Sequence, residues 1–271
     1  MPLPKLIPPL EITRFDSCDS TNRLLLSAAE AGASAGSVYV AREQTAGRGR
    51  RGRTWLADPG CTLVFSMLWV FPVDPLRLNG LSLAVGVAII RALGAPTFGP
   101  TNPGFRIGLK WPNDILLRDP VGTDAKVGGV LIESVMRRGS DGRREIAVVI
   151  GVGLNCLPSP SIEAAVTDQR VAALADAYME GACLMPEVLL PEVLASLQQT
   201  LHEFAMGGFA SMRDAWQAAH LWQGALVRIS EAGEPLLDGE IRGVDTDGAL
   251  RVATPTGIER VISGDVGLRK V

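Results

Sequence analysis

Residues 61–71, Cys-Thr-Leu-Val-Phe-Ser-Met-Leu-Trp-Val-Phe, are apolar on both sides: Leu63, Phe65, Met67, Trp69 and Phe71 on one, Val64, Leu68 and Val70 on the other. A strand of this kind must be covered on both faces, which places it at the centre of a sheet. The cover is at hand in Leu76–Leu93, where Leu78, Leu81, Val85, Ile89 and Ala92 recur at helical spacing and Gly94 closes the run. Short strands are predicted at Ser37–Arg42, Arg106–Lys110, Asp114–Arg118, Lys126–Met136 and Glu145–Leu154, with turn chemistry at Trp111-Pro112-Asn113, Asp119–Ala125 and Gly139–Gly142. Asp19-Ser20-Thr21-Asn22 offers N-caps to a short helix through Leu24, Leu25 and Ala28, stopped at Gly32. Residues 1–10 hold four prolines and read as an extended arm.

After Asn155 the chain turns helical, with Val193, Leu194, Leu197, Leu201 and Phe204 on one face of Val188–Phe204 and a shorter helix over Phe209–Ala219. From about Leu221 the pattern changes again. Alternating runs at Ala225–Ser230, Gly239–Val244, Leu250–Ala253 and Glu259–Ile262 are separated by turns at Ala232-Gly233, Asp247-Gly248, Thr256-Gly257 and Ser263-Gly264, the pattern of a small β-barrel. The fold class is therefore α+β: a mixed β-sheet with flanking helices, then a small C-terminal barrel. The boundary is expected at 221/222, giving units 1–221 and 222–271.

The stretch Gly47-Arg48-Gly49-Arg50-Arg51-Gly52-Arg53-Thr54-Trp55 follows directly on the Ser37–Arg42 strand. Glycine/arginine alternation builds no core, but a mobile loop of backbone N–H groups and guanidinium forks can grip phosphate. A solvated basic turn or a nucleic-acid-binding segment would use the same residues. The net charge of −3 makes this a local cluster on a slightly acidic protein, whereas a general nucleic-acid binder is basic over a whole face. Gly47–Gly52 also fits G-x-G-x-x-G, but five arginines within Arg42–Arg53 are wrong for a dinucleotide turn, and no P-loop pattern is present.

The four cysteines, Cys18, Cys61, Cys156 and Cys183, are far apart, which argues against a disulfide framework or zinc site and for reduced thiols. With no signal-peptide h-region and no apolar run near the ~18 residues of a membrane span, a cytoplasmic location is expected. The two histidines, His202 and His220, lie on polar-leaning faces of the late helices and are assigned structural or surface roles. Chemistry that needs positive charge and no histidine base remains. Attack of a carboxylate on the α-phosphate of ATP meets that description, because the nucleophile is already an anion at neutral pH. Cationic donors offset the repulsion between the two anions, and a covering loop keeps water from the acyl-adenylate.

Three other stretches supply matching groups. Lys110-Trp111-Pro112-Asn113-Asp114 sets a cation, an amide and a carboxylate at a strand junction, or is a plain polar corner. Lys126-Val127-Gly128-Gly129 opens a buried strand with a lysine and two glycines that permit close approach or mark a bulge. Gly151-Val152-Gly153-Leu154-Asn155 ends the next strand with small residues and an amide. Together with Asp19–Asn22 and Gln44–Trp55, these stretches resemble, in order and spacing over residues 14–271, those of the biotin–protein ligases (biotin–[acetyl-CoA-carboxylase] ligases).

The resemblance implies a biotin-ligase-like fold with an SH3-like C-terminal barrel. It also implies a two-step reaction: biotin and ATP give biotinoyl-5′-AMP and pyrophosphate, then biotin passes to a lysine of a biotin carboxyl carrier domain. It assigns biotin to Ser20, Thr21, Asn22, Gln44, Gly47, Arg48, Arg50, Lys126, Gly128 and Gly129. ATP and the adenylate go to Arg50, Arg53, Trp55, Lys110, Asn113, Asp114, Lys126, Asn155 and Arg269. Lys126, Arg48, Arg50 and Asp114 are the catalytic set, and Lys126→Ala is expected to stop adenylation with folding intact. Mg²⁺ is implied with ATP. Only about ten residues precede the matched region, so a DNA-binding role is not expected. A homodimer through a sheet edge stays open, and Asp168–Ala172 offers no aromatic to stack adenine. The alternatives are a lipoate–protein ligase, which shares the adenylate logic, and an arginine-loop nucleic-acid-binding protein.

Overall fold

The two-sided apolar run is strand β3 (Thr62–Pro72), third of seven in a mixed sheet of order β1-β2-β3-β7-β6-β5-β4. In this computed structural model the residues described are 7–72, 78–139, 142–231, 234–262 and 266–271. Most of the proline arm, the first residues of the Leu76 run, the centre of the Gly139–Gly142 turn and the turns at Ala232-Gly233 and Ser263-Gly264 lie outside them. Around β3 stand β2 (Ser37–Gln44), β4 (Arg106–Lys110), β5 (Asp114–Arg118), β6 (Asp124–Arg138) and β7 (Arg144–Asn155). Only β1 (Glu11–Cys18) pairs parallel, with β2; every other neighbour is antiparallel.

Phe65, Met67, Trp69 and Phe71 face α2 (Leu81–Leu93) and α4 (Pro186–Gly207) in the larger core. On the opposite face Leu68, Ala147 and Val149 pack beneath α1 (Thr21–Glu30) through Leu25 and Ala29. That helix covers only one end of its face. Beyond it the sheet shows Val64, Gly151 and Gly153 to the space in which the site lies, with Ser66 fully buried on the same face.

The helix read from Leu76 starts at Leu81 instead, because Gly80 turns left-handed (φ 78°) and its missing side chain admits the Phe209 ring. The helix read over Phe209–Ala219 is divided into a tight turn, Phe209–Met212, and α5 (Arg213–Ala219). A short α3 (Pro160–Ala165) is capped by the Ser159 hydroxyl. No helix among the described residues is long and apolar enough to cross a membrane.

The C-terminal run folds as a second, five-stranded antiparallel sheet of barrel-like form, in the order β11-β10-β9-β8-β12. Its strands are β8 (Leu226–Glu231), β9 (Glu234–Val244), β10 (Leu250–Thr254), β11 (Gly257–Val261) and β12 (Val266–Lys270). The sequence pattern missed β12 and the first half of β9. The buried Trp111, in a cis peptide with Pro112, donates its indole N–H to Gly248 O at 3.0 Å and so ties the two sheets together. His220 is not on a polar face: it is 4% exposed, stacks on Trp216 at 4.5 Å, and burial pushes its imidazole down to about 4. It does not line the cleft described next, in keeping with a structural role.

Candidate active site

One row of paired residues crosses the sheet: Lys110 opposite Asp114, Asp114 opposite Gly129, Gly129 opposite Gly153, and Gly153 opposite Val64. The two glycines leave bare backbone in mid-row, and the Trp55 indole occupies it. A Cβ on Gly153 would lie 2.3 Å from that ring, so glycine is required there by contact. The register shift between β5 and β6 is the bulge that the paired glycines allowed for. It sets Leu116 opposite Lys126 and Ile115 opposite Gly128, with Val127 as the extra residue. Lys126 is thereby brought over the row, its Nζ 2.6 Å from Asp114 Oδ1 and 5.7 Å from the Trp55 ring centre.

Lys110 reaches the other oxygen of the same carboxylate at 3.4 Å, and all three side chains are less than a fifth exposed. Burial pushes the Asp114 carboxyl up, but the charges and hydrogen bonds of Lys126 and Lys110 outweigh it and hold the group below the usual carboxylate range. Burial dominates at Lys110 and pulls its ammonium down.

The glycine/arginine stretch is less open than its composition suggests. Trp55 N–H donates to Gly47 O at 2.9 Å and Gly49 N–H to Arg53 O at 2.7 Å, so the loop is a small hairpin closed on itself. Its tip takes left-handed backbone at Arg51 (φ 60°) and Gly52 (φ 69°), and the Arg51 guanidinium comes within 3.0 Å of where a Gly267 side chain would begin. Arg50 donates to Asn113 Oδ1 at 3.2 Å, and Arg48 pairs with Glu133 at 3.0 Å. Gly47 is buried beneath the hairpin, where a Cβ would strike Trp55 O at 2.3 Å.

Beside the hairpin, the Gln44 side-chain oxygen accepts the Thr21 N–H at 2.8 Å and lies 3.1 Å from the Thr21 hydroxyl. Ser20 caps α1 through its hydroxyl, and Asn22 is buried over Gly151. These residues line one cleft of about 1410 Å³ with the hairpin arginines, the Lys110–Asp114 corner, Gly129, Asn155 and Arg269. That exceeds the ~300–1,000 Å³ usual for a single small ligand. Of the residues the sequence singled out, Gly47 and Gly128 stay out of the lining; Gly128 packs against Leu154 and Gly153 O. Asn155 donates to Ala172 O at 3.2 Å, while Lys126 N–H to Arg170 O (2.8 Å) and Ala172 N–H to Lys126 O (3.0 Å) fasten the 166–171 segment along the cleft. Arg269 is exposed at the mouth on β12.

Several residues at the site were not singled out. Ser66, Glu133, Asp124, Trp222 and Lys270 all bond to cleft residues or line the cleft. Ser66 and Glu133 did carry a signal, as polar residues in the middle of largely apolar strand faces. Trp222 carried none beyond its place at the change of pattern.

The chain is similar to known proteins over most of its length. Residues 14–155 match the biotin/lipoate A/B protein ligase family and residues 227–269 the biotin protein ligase C-terminal domain. A biotin–[acetyl-CoA-carboxylase] ligase of Paracoccus denitrificans is 30% identical over 92% of this chain and 96% of its own length. The bifunctional ligase/repressor BirA of Salmonella typhimurium is 31% identical over 93% of this chain and 72% of its own. Among solved structures, the Aquifex aeolicus biotin protein ligase in complex with biotin and ATP superposes with a TM-score of 0.71. It is 26% identical and covers 96% of this chain and 99% of that one. Matched across both of its sheets, this chain belongs to the biotin/lipoate A/B protein ligase family and is an enzyme of its biotin protein ligase branch.

Proposed function

We propose that the enzyme activates biotin as biotinoyl-5′-AMP and then passes the biotinyl group to a lysine of a biotin carboxyl carrier domain. The observation that carries the reading is the position of Lys126. Its ammonium, held by Asp114 at 2.6 Å, shares one cleft with the hydroxyls and amide of Ser20, Thr21 and Gln44 and with the cations Arg50, Arg53, Lys110 and Arg269. Hydroxyls and an amide can bond a cyclic urea; the dithiolane of lipoate has nothing to return, which favours biotin. Polynucleotide binding is disfavoured because Arg48 and Arg50 are engaged by Glu133 and Asn113 within the protein.

In the first step a biotin carboxylate oxygen attacks the α-phosphorus and pyrophosphate leaves. Asp114 holds one side of the Lys126 ammonium, which leaves its remaining protons for the carboxylate and the α-phosphate. Arg48 and Arg50 add charge as the two anions approach. In the second step the carrier amine attacks the acyl carbon, AMP leaves and the amine sheds a proton. Mg²⁺ in this reading arrives with the triphosphate as part of the substrate. The proposed division, 1–221 and 222–271, falls at Trp222, on the seam between the sheets.

The test is exchange of labelled pyrophosphate into ATP with biotin or lipoate offered alone, followed by labelling of an acceptor domain. Biotin-dependent exchange and labelling are expected; exchange with lipoate alone would overturn the assignment. Arg50→Ala should release adenylate about 10–100-fold faster, the equivalent of one charge-assisted hydrogen bond. AMP formation without a carrier measures it, and an unchanged rate would remove the hairpin from the role of cover.

A further inference from the structure

Beneath the vitamin end of the cleft three oxygen–oxygen contacts share two hydroxyl protons. Ser66 Oγ lies 2.6 Å from Asn22 Oδ1 and 2.8 Å from Thr21 Oγ1, and Thr21 Oγ1 lies 3.1 Å from Gln44 Oε1. Which contact goes without a proton depends on which way the Asn22 amide points. Glu133 is the nearer of two groups that settle it: its carboxylate receives Asn22 Nδ2 at 3.0 Å and the Leu131 carbonyl receives it at 3.4 Å, and the reversed amide would press an oxygen against an anion. Asn22 Oδ1 therefore faces Ser66, and only a donor can meet it there. The Ser66 proton goes to Asn22, its shorter contact, and of the two acceptors then open to the Thr21 hydroxyl, Ser66 at 2.8 Å is closer than Gln44 at 3.1 Å. The longest contact, Thr21 to Gln44, is then left without a proton.

We propose that Glu133 is a positioning residue for biotin specificity, acting through Asn22 and Ser66 to keep lone pairs on Thr21 Oγ1 and Gln44 Oε1 open for a ligand N–H. The Thr21 N–H fixes Gln44 with its NH₂ end opposite, as a donor. The pocket then offers acceptor and donor side by side, the complement of a ureido N–H next to its C=O. Ser66 is fully buried and outside the cleft lining, so it acts through its neighbours. The inference rests on the biotin reading above.

The two ideas separate in one set of exchange assays. Wild-type enzyme must show biotin-dependent exchange, and if it does not, the biotin reading itself fails. Given that activity, Glu133→Gln replaces the anion with an amide that can turn, leaving the long Leu131 contact (3.4 Å) to hold Asn22, so the relay can run backwards. Ser66→Ala breaks the relay at its middle and frees the Thr21 hydroxyl to donate to Gln44. Each variant is expected to raise the KM for biotin about tenfold or more, with the KM for ATP and kcat within about twofold. The double variant should add nothing to either single one, because both cut the same chain. Ser66→Ala without effect would assign any loss in Glu133→Gln to Arg48 and overturn the relay. So would additive losses, or equal rises in both KM values. Circular dichroism and melting temperature confirm that each variant is folded.

Discussion

Lys126→Arg should keep the fold and slow biotin-dependent pyrophosphate exchange by about 10²–10³-fold, the scale of losing one preorganised donor to developing charge. Arginine keeps a cation against Asp114 but replaces a compact ammonium with a wider planar fork. The floor beneath is tight, since the Lys126 ammonium already lies 3.5 Å from where a Gly129 side chain would begin. Lys126→Ala should lose at least as much activity and also stability. The sequence reading expected intact folding for that change. The structure alters the expectation, because removing Lys126 leaves the Asp114 carboxylate, 14% exposed, with Lys110 at 3.4 Å as its remaining cation. Breaking such a pair from one side costs about 3 kcal/mol, or roughly 6–12 °C of Tm for a chain of this size. Thermal melts beside the exchange assay check both parts. Equal melting temperatures for the two variants would show that the pair contributes nothing to folding.

Asp124→Asn should be the most destabilising change outside the reaction centre. Its carboxylate receives Arg118 at 2.6 and 2.9 Å, the Trp222 indole N–H at 2.9 Å and Lys270 at 2.7 Å. The Trp222 ring in turn lies under Lys110 at 4.6 Å and Lys270 at 5.0 Å. One half-buried anion thus joins β6 to β12 at the edge of the cleft, and losing its charge should cost about 3 kcal/mol, the low end for breaking a buried pair. Burial raises the Asp124 carboxyl, but the Arg118 and Lys270 hydrogen bonds and charges outweigh that and hold it below the ordinary value. The linkage sign follows. The group's contribution is complete above the unfolded pKa of about 3.9 and is lost as pH falls through the lower folded value. The gap in Tm between wild type and Asp124→Asn should therefore be constant near neutrality and close below about pH 4. A gap that widened in acid would contradict the assignment. With Arg269 and Lys270 no longer seated at the mouth, the KM for ATP should rise more than that for biotin.

How much could be read beforehand followed from where each residue type stood in the fold. Apolar residues on both sides of β3, and the Lys110–Asp114 corner between two short strands, fixed local structure without help from distant residues. β1 escaped because Glu11–Cys18 is an exposed edge strand, mostly polar on both sides, whose only instruction is its pairing with β2. β12 escaped because a five-residue strand beside a turn carries too little alternation to register. At the site, the motif residues were legible one by one, but their partners were not. Nothing local links Arg48 to Glu133, 85 positions away, or Asp124 to Lys270, 146 positions away. Such pairs are chosen by the sheet register, which also explains why Gly128, inside a motif, faces the core side of its bulge.

The indole resting on bare backbone has a consequence for how such a cleft can diversify. At that point the strand contributes no side chain, so the ceiling and depth of the chamber are written in a short insert between β2 and β3. Exchanging that insert would reshape what the chamber admits while the sheet that anchors the ammonium stays as it is. Selectivity and scaffold are thereby encoded in separate parts of the chain.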